Sequence, residues 1–188
     1  TDDTRVSTAT ATGDLTIDAD GTWVYTGDND AVQYLDVGQT RTEVFTVETI
    51  DGVKTDITIT LNGADDLSEI SFEIGADAGE VTEDVDTDVG TPGVQLITGG
   101  QLTVTDVDTN DSPAFDPNKV AYKEGTDDTR VSTATATGDL TIDADGTWEY
   151  TGDNNAVQYL GAGETRMEVF TVETIDKVTH DIAITITG

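Results

Sequence analysis

The 188-residue chain contains no cysteine, one histidine, one methionine and three prolines, and its 39 aspartates and glutamates face only eight lysines and arginines. The absence of cysteine removes disulfides and thiol chemistry together, so the fold must rest on packing and hydrogen bonds in any redox compartment. The scarcity of basic residues holds along the whole chain. Residues 1–63 carry three basic against twelve acidic side chains, residues 64–125 two against fifteen, and residues 126–188 three against twelve, for a formal charge of −31. No segment could release counterions from a phosphate backbone or an anionic bilayer, which excludes nucleic acid as a partner. Apolar runs are short, well under the roughly 20 residues of a spanning helix, so no membrane insertion is expected. No G-x-S-x-G, Walker or G-x-G-x-x-G pattern occurs.

What the chain does have is itself, twice. Thr1 to Gly63 returns without a gap as Thr126 to Gly188, 51 of 63 positions identical at an offset of 125 residues. A period that long describes tandem self-contained domains and not the rungs of a solenoid. The expected division is residues 64–188 as one complete repeat and residues 1–63 as the C-terminal half of the repeat before it. His180 is Thr55 in the other copy, so no histidine-based triad or zinc site can belong to the repeat.

The pattern is all-β. In GDLTIDADGTWVYTG, Leu15 and Ile17 alternate with polar residues, Asp20-Gly21 turns, and Trp23 and Tyr25 resume the period of two. A second hairpin has Phe45 and Val47 inward, turns at Asp51-Gly52 and returns through Ile57, Ile59 and Leu61. Between them AVQYLDVGQT reads as a connection with a helical turn. The second copy checks the faces: Val24 becomes Glu149, so Trp23 and Tyr25, with Trp148 and Tyr150, are expected in the core. Residues 64–125 add strands at 69–75, at 79–82, a pair either side of Gly99-Gly100, and one at 120–122. About eight strands in about 125 residues predict an antiparallel Greek-key β-sandwich.

Residues 138–188, from GDLTIDADGTWEYTGDNNAVQYLGAGETRMEVF to the closing TITG, closely resemble the C-terminal half of the VCBS repeats of large bacterial surface proteins. GEVTEDVDTD and GQLTVTDVDTND resemble that family's N-terminal half. The resemblance implies an immunoglobulin-like or cadherin-like sandwich, strung in tandem in secreted adhesins and RTX-type proteins of Gram-negative bacteria, often with calcium. One departure concerns the linker, typically TGTNDAP in the family and here Asn62-Gly63-Ala64-Asp65-Asp66-Leu67. Asn and Pro are missing after Gly63, while two carboxylates remain.

Calcium takes six to eight oxygen ligands, so its sites show as carboxylates clustered at strand ends. Three clusters qualify: Asp65 and Asp66 in the linker; Glu83, Asp84, Asp86 and Asp88 after a short strand; and Asp106, Asp108 and Asp111 after TVT. By the cadherin analogy Asp65, Glu83, Asp106 and Asp108 would share one or two ions; solvated acidic loops are the alternative. Asp18-Ala19-Asp20-Gly21 and its copy read as hairpin turns, lacking the glutamate of a calcium loop. Sugar binding would need exposed rings, for which Tyr34 and Tyr159 remain. The expectation is a non-enzymatic extender repeat of a secreted, cell-surface adhesin involved in adhesion and biofilm, its partners the neighbouring repeats. The alternative is a module that itself binds glycan or protein.

Overall fold

The computed structural model describes residues 6–7, 11–85, 95–127 and 135–188. Asp86, Asp88 and the start of the strand expected at Val94 lie outside the described residues. The chain divides into two compact units, one of residues 1–66 with 107–111, the other of residues 67–106 with 112–188.

The first unit holds strands β1 (Val6–Ser7), β2 (Gly13–Ile17), β3 (Trp23–Gly27), β4 (Thr40–Glu48) and β5 (Lys54–Asn62). β2 and β3 form an antiparallel hairpin, and β1-β4-β5 a three-stranded sheet. The β2–β3 turn is closed by Asp18 N–H donating to Thr22 O at 2.8 Å and Thr22 N–H donating to Asp20 Oδ1 at 2.9 Å. The Asp20 carboxylate therefore secures its own turn, as does Asp145 in the second copy through Thr147 N–H at 3.0 Å. A 3-10 turn at Asp30–Val32 occupies the connection, where a helical turn is expected from sequence.

The second unit comprises β6 (Glu69–Phe72), β7 (Ala78–Thr82), β8 (Gln95–Thr105), β9 (Phe115–Asp127), β10 (Gly138–Ile142), β11 (Thr147–Asp153), the one-turn helix α1 (Asn154–Val157), β12 (Thr165–Thr174) and β13 (Thr179–Thr187). One sheet runs β10-β11-β8-β6 and the other β7-β13-β12-β9. All pairs are antiparallel except β13 with β7. In chain order the first, third, sixth and fifth main strands make one sheet and the fourth, seventh and eighth the other, which is the immunoglobulin-like Greek-key arrangement. The second strand, β7, adds in parallel to the last. The core between the sheets contains Leu96, Leu102, Phe115, Trp148, Tyr150, Phe170, Val172, Ile182, Ile184 and Ile186.

Two expectations change. The strands expected either side of Gly99-Gly100 are one strand, β8, running straight through. The glycines make room and do not turn: a Cβ on Gly100 would lie 2.7 Å from the Trp148 ring, and one on Gly99 2.6 Å from Trp148 O. Trp148, opposite Gly100 in the ladder, fills that space and donates its indole N–H to Ala76 O at 2.8 Å. The strand expected at 120–122 extends over Phe115–Asp127, with register shifts where it bends along β12.

A third change concerns the core of the first copy. Trp148 is 1% exposed, as expected, but its counterpart Trp23 is 45% exposed. Among the described residues of the first unit no strand corresponds to β6, β7 or β8, and only the two-residue β1 lies along β4 where β9 lies along β12, so the face that holds Trp23 is uncovered. Phe45 and Leu15 remain buried, Phe45 with the Tyr25 ring of β3 against it at a centroid distance of 5.8 Å.

Candidate metal centre

Gly63 N–H donates to Gln39 O at 3.0 Å and Gln39 N–H to Asp36 O at 2.9 Å, tying the end of β5 to the turn before β4. Only glycine fits there, since a Cβ at 63 would meet the carbonyl oxygens of Leu35 and Asp36 at 2.3 Å. Two residues on, Asp65 comes beside Asp36. The third member, Asp108, lies in the turn after β8, is 4% exposed, and accepts Asp66 N–H on Oδ2 at 2.9 Å. One carboxylate oxygen each of Asp36, Asp65 and Asp108 lies within 4.8 Å of the others. Within the turn itself, one carboxylate oxygen each of Asp106, Asp108 and Asp111 also lies within 4.8 Å of the others.

The donor set is all oxygen and all anionic, which selects a hard cation over zinc or copper. Oxygens bound at roughly 2.3–2.6 Å on opposite sides of one calcium ion stand about 4.6–5.2 Å apart. The observed spacing fits that group. Three carboxylates so close also repel one another, by about 4 kcal/mol for a pair at 4 Å and an effective dielectric near 20. A divalent ion would offset this repulsion.

The remaining candidates separate. Asp66 contributes its backbone N–H to Asp108. Asp84, at φ 59°, accepts two amide donors on its Oδ1, Asn154 Nδ2 at 2.8 Å and Gln158 Nε2 at 2.9 Å. Glu83, held after β7 by its N–H to Thr187 O at 2.9 Å, has an Oε2 enclosed by protein with no hydrogen-bond donor on it. Asp36 escapes the sequence reading. It sits inside a connection and not at a strand end, and its counterpart is Gly161, so comparison of the copies could have marked it as a carboxylate peculiar to the first.

A second polar cluster also escaped, and it is present in both copies. Glu168 has no exposed side-chain surface, yet it is fully engaged. Thr137 donates N–H and O–H to Oε1 at 2.7 and 2.9 Å, Arg166 Nε donates to the same oxygen at 2.7 Å, and Tyr150 O–H donates to Oε2 at 3.0 Å. In the first copy Thr12, Arg41 and Tyr25 do the same for Glu43, at 2.7, 2.8, 3.0 and 3.0 Å. Burial alone would raise the pKa of Glu43, but these donors outweigh it and lower it. Burial with the Glu168 charge beside it pushes the Tyr150 hydroxyl well up. Every acceptor is satisfied, so the cluster locks the two sheets together.

His180 is half-buried, 3.4 Å from Asp77 and with its ring centroid 4.8 Å from that of Phe72. It is a packed histidine on β13. Tyr34 and Tyr159, the rings that could stack on a sugar, have their hydroxyls engaged by Arg41 at 3.1 Å and Arg166 at 3.4 Å.

No family model and no curated protein matches the chain. Among solved structures it is similar to the extracellular cadherin domains 1–5 of protocadherin gamma B2 at 13% identity and a TM-score of 0.47, over 98% of this chain and 32% of that one. The protocadherin gamma B4 extracellular domain is similar at 15% identity and 0.44, over 98% and 26%. An endo-fucoidan hydrolase of glycoside hydrolase family 107 is similar at 18% identity and 0.31, over 98% and 28%. The chain thus spans about a third of the length of these structures or less. The class defined by its own strand order is an all-β, immunoglobulin-like sandwich. Among the described residues no helix is long and apolar enough to cross a membrane.

Proposed function

We propose that the chain is an extender repeat of a secreted adhesin of the bacterial cell surface, not an enzyme, with residues 64–188 forming one repeat and residues 1–63 the latter half of the repeat before. Its role is mechanical. Sandwich domains in series carry a distal binding region outward, and calcium where one repeat follows another along the chain neutralises carboxylates and stiffens the linker. Asp36, Asp65 and Asp108 would hold the ion, with Asp106 and Asp111 adjoining and Asp66 positioning Asp108; the ion supplies charge neutralisation and no reaction. Glu83 offers a further enclosed oxygen, and beside it Asp84 has one carboxylate oxygen held by amide donors and a second for an ion.

The observation that carries this reading is the convergence of Asp36, Asp65 and Asp108 from three separate stretches of a chain with net charge −31. Extracellular calcium modules bind at about 0.1–1 mM, which leaves them empty in a cytosol and filled after export. Calorimetric titration of calcium into the chelator-treated chain tests it. Saturable binding in that range, weakened at least about tenfold by Asp108→Asn, is expected. Absence of binding at millimolar calcium, or an Asn variant that binds as well, would sink it.

A further inference from the structure

The two copies share 51 of 63 residues, and only one of them is covered. In the second unit β11 pairs along its outer edge with β8, β13 with β7, and β12 with β9. In the first unit the matching strands are β3, β5 and β4, and the outer edges of β3 and β5 have no partner strand among the described residues. Side chains follow the same division. Ile17 is 39% exposed where Ile142 is 2%, and Ile57, Ile59 and Leu61 are half-buried where Ile182, Ile184 and Ile186 are fully buried. The third seat is filled by proxy. β1 pairs its Val6 and Ser7 with Thr46 and Phe45, positions whose counterparts on β12 pair with Ala121 and Tyr122 of β9.

The receiving half already has the conformation it has when covered. Tyr25 O–H to Glu43 and Tyr150 O–H to Glu168 are both 3.0 Å, and Thr12 N–H and Thr137 N–H both reach their glutamate at 2.7 Å. We infer that the open face of residues 11–63 is a docking site for one occupant, a polypeptide segment with the sequence of residues 64–125, supplied neither by this chain's own second unit nor by a second copy of this chain. This rests on the half-repeat reading of residues 1–63 and not on calcium. The segment would add its β8 along β3 with Gly100 opposite Trp23, its β7 in parallel along β5 with Gly79 opposite Ile59, and its β9 along β4 in place of β1. Like charge does not prevent the union, because residues 126–188 carry the same three basic and twelve acidic side chains as residues 1–63 and are covered by that sequence here.

The chain has two tryptophans and residues 64–125 have none, so fluorescence reads the site directly. The full chain is titrated with a polypeptide of residues 64–125, and acrylamide quenching of Trp23 is followed with Trp148 as the buried internal reference. Protection of Trp23 at one segment per chain, with a blue shift in emission, is expected; a segment carrying Gly100→Leu, which has no room beside the indole, should fail to protect. A chain with an extra copy of residues 64–125 fused before Thr1 makes the same test should the free segment not stay in solution. Trp23 left quenchable at saturating segment and in the fusion, or protected equally by the Gly100→Leu segment, overturns the inference while leaving the half-repeat reading intact. Trp23 already protected in a chain that sediments as a dimer makes a second copy the occupant and overturns it too. Trp23 protected in a monomer without added segment overturns both.

Discussion

Glu168 carries a negative charge where no solvent reaches it, and four donors from Thr137, Arg166 and Tyr150 make that tolerable. A buried pair of this kind adds modest net stability, but removing one member strands the other. Glu168→Gln should therefore cost about 3–5 kcal/mol in urea unfolding. The same change at Glu43 should cost less, because the Arg41 side chain is 26% exposed and keeps part of its hydration. Equal losses would show that the cluster does not depend on burial. Asp176 makes a separate pH prediction. Burial would raise its pKa, but Ser68 O–H and Thr174 O–H, followed by Ser68 N–H, lower it below the usual carboxylate value. A folded-state pKa below the unfolded one gives stability that is present above the unfolded value and lost as pH falls through the folded one. The stability gap between the parent and Asp176→Asn should accordingly be full at neutral pH and close below about pH 3.8. A gap that persists in acid would assign the effect to packing.

At the scale of elements, hairpins and their turns were legible because period-two alternation and Asp-Gly pairs are local signals. The turn between β12 and β13 shows how far the two copies can diverge. Gly52 sits at φ 84°, and its counterpart Lys177 holds φ 76°. A left-handed conformation costs a side-chain-bearing residue about 1–2 kcal/mol relative to glycine, so Lys177→Gly should raise the midpoint of thermal unfolding. No rise would mean that the lysine side chain offsets the strain. Gly99-Gly100 misled the sequence reading for the opposite reason: the same residues that make turns also make room, and what needs room is Trp148, 48 residues away from Gly100 in sequence. Asp36 was likewise out of reach, since its partners Asp65 and Asp108 are brought to it by the fold. The inward parity of Glu43 with Phe45 was readable, but alternation alone does not announce a buried acid whose donors, Arg41 of its own strand apart, come from the distant Thr12 and Tyr25.

At the scale of the molecule, near-identical sequences occupy two states, one covered and one open, which a reading based on either copy alone could not separate. The placement of Trp23 in the core fails because no strand covers its face among the described residues of the first unit. Net charge sets the other large-scale feature. With 39 acidic side chains the protein repels itself at neutral pH, and either general screening or a specific divalent ion can relieve the repulsion. The two differ in what they predict. The most direct measurement is thermal unfolding of the chain in excess chelator and then across calcium from micromolar to about 10 mM, with magnesium and sodium as controls. A bound ion stabilises by about 2.7 kcal/mol at one hundred times its dissociation constant, so the midpoint should climb with calcium, fail to follow with magnesium, and stop climbing in Asp108→Asn. A midpoint that rises equally with sodium at matched ionic strength would contradict the account, leaving the acidic loops solvated and the charge merely screened.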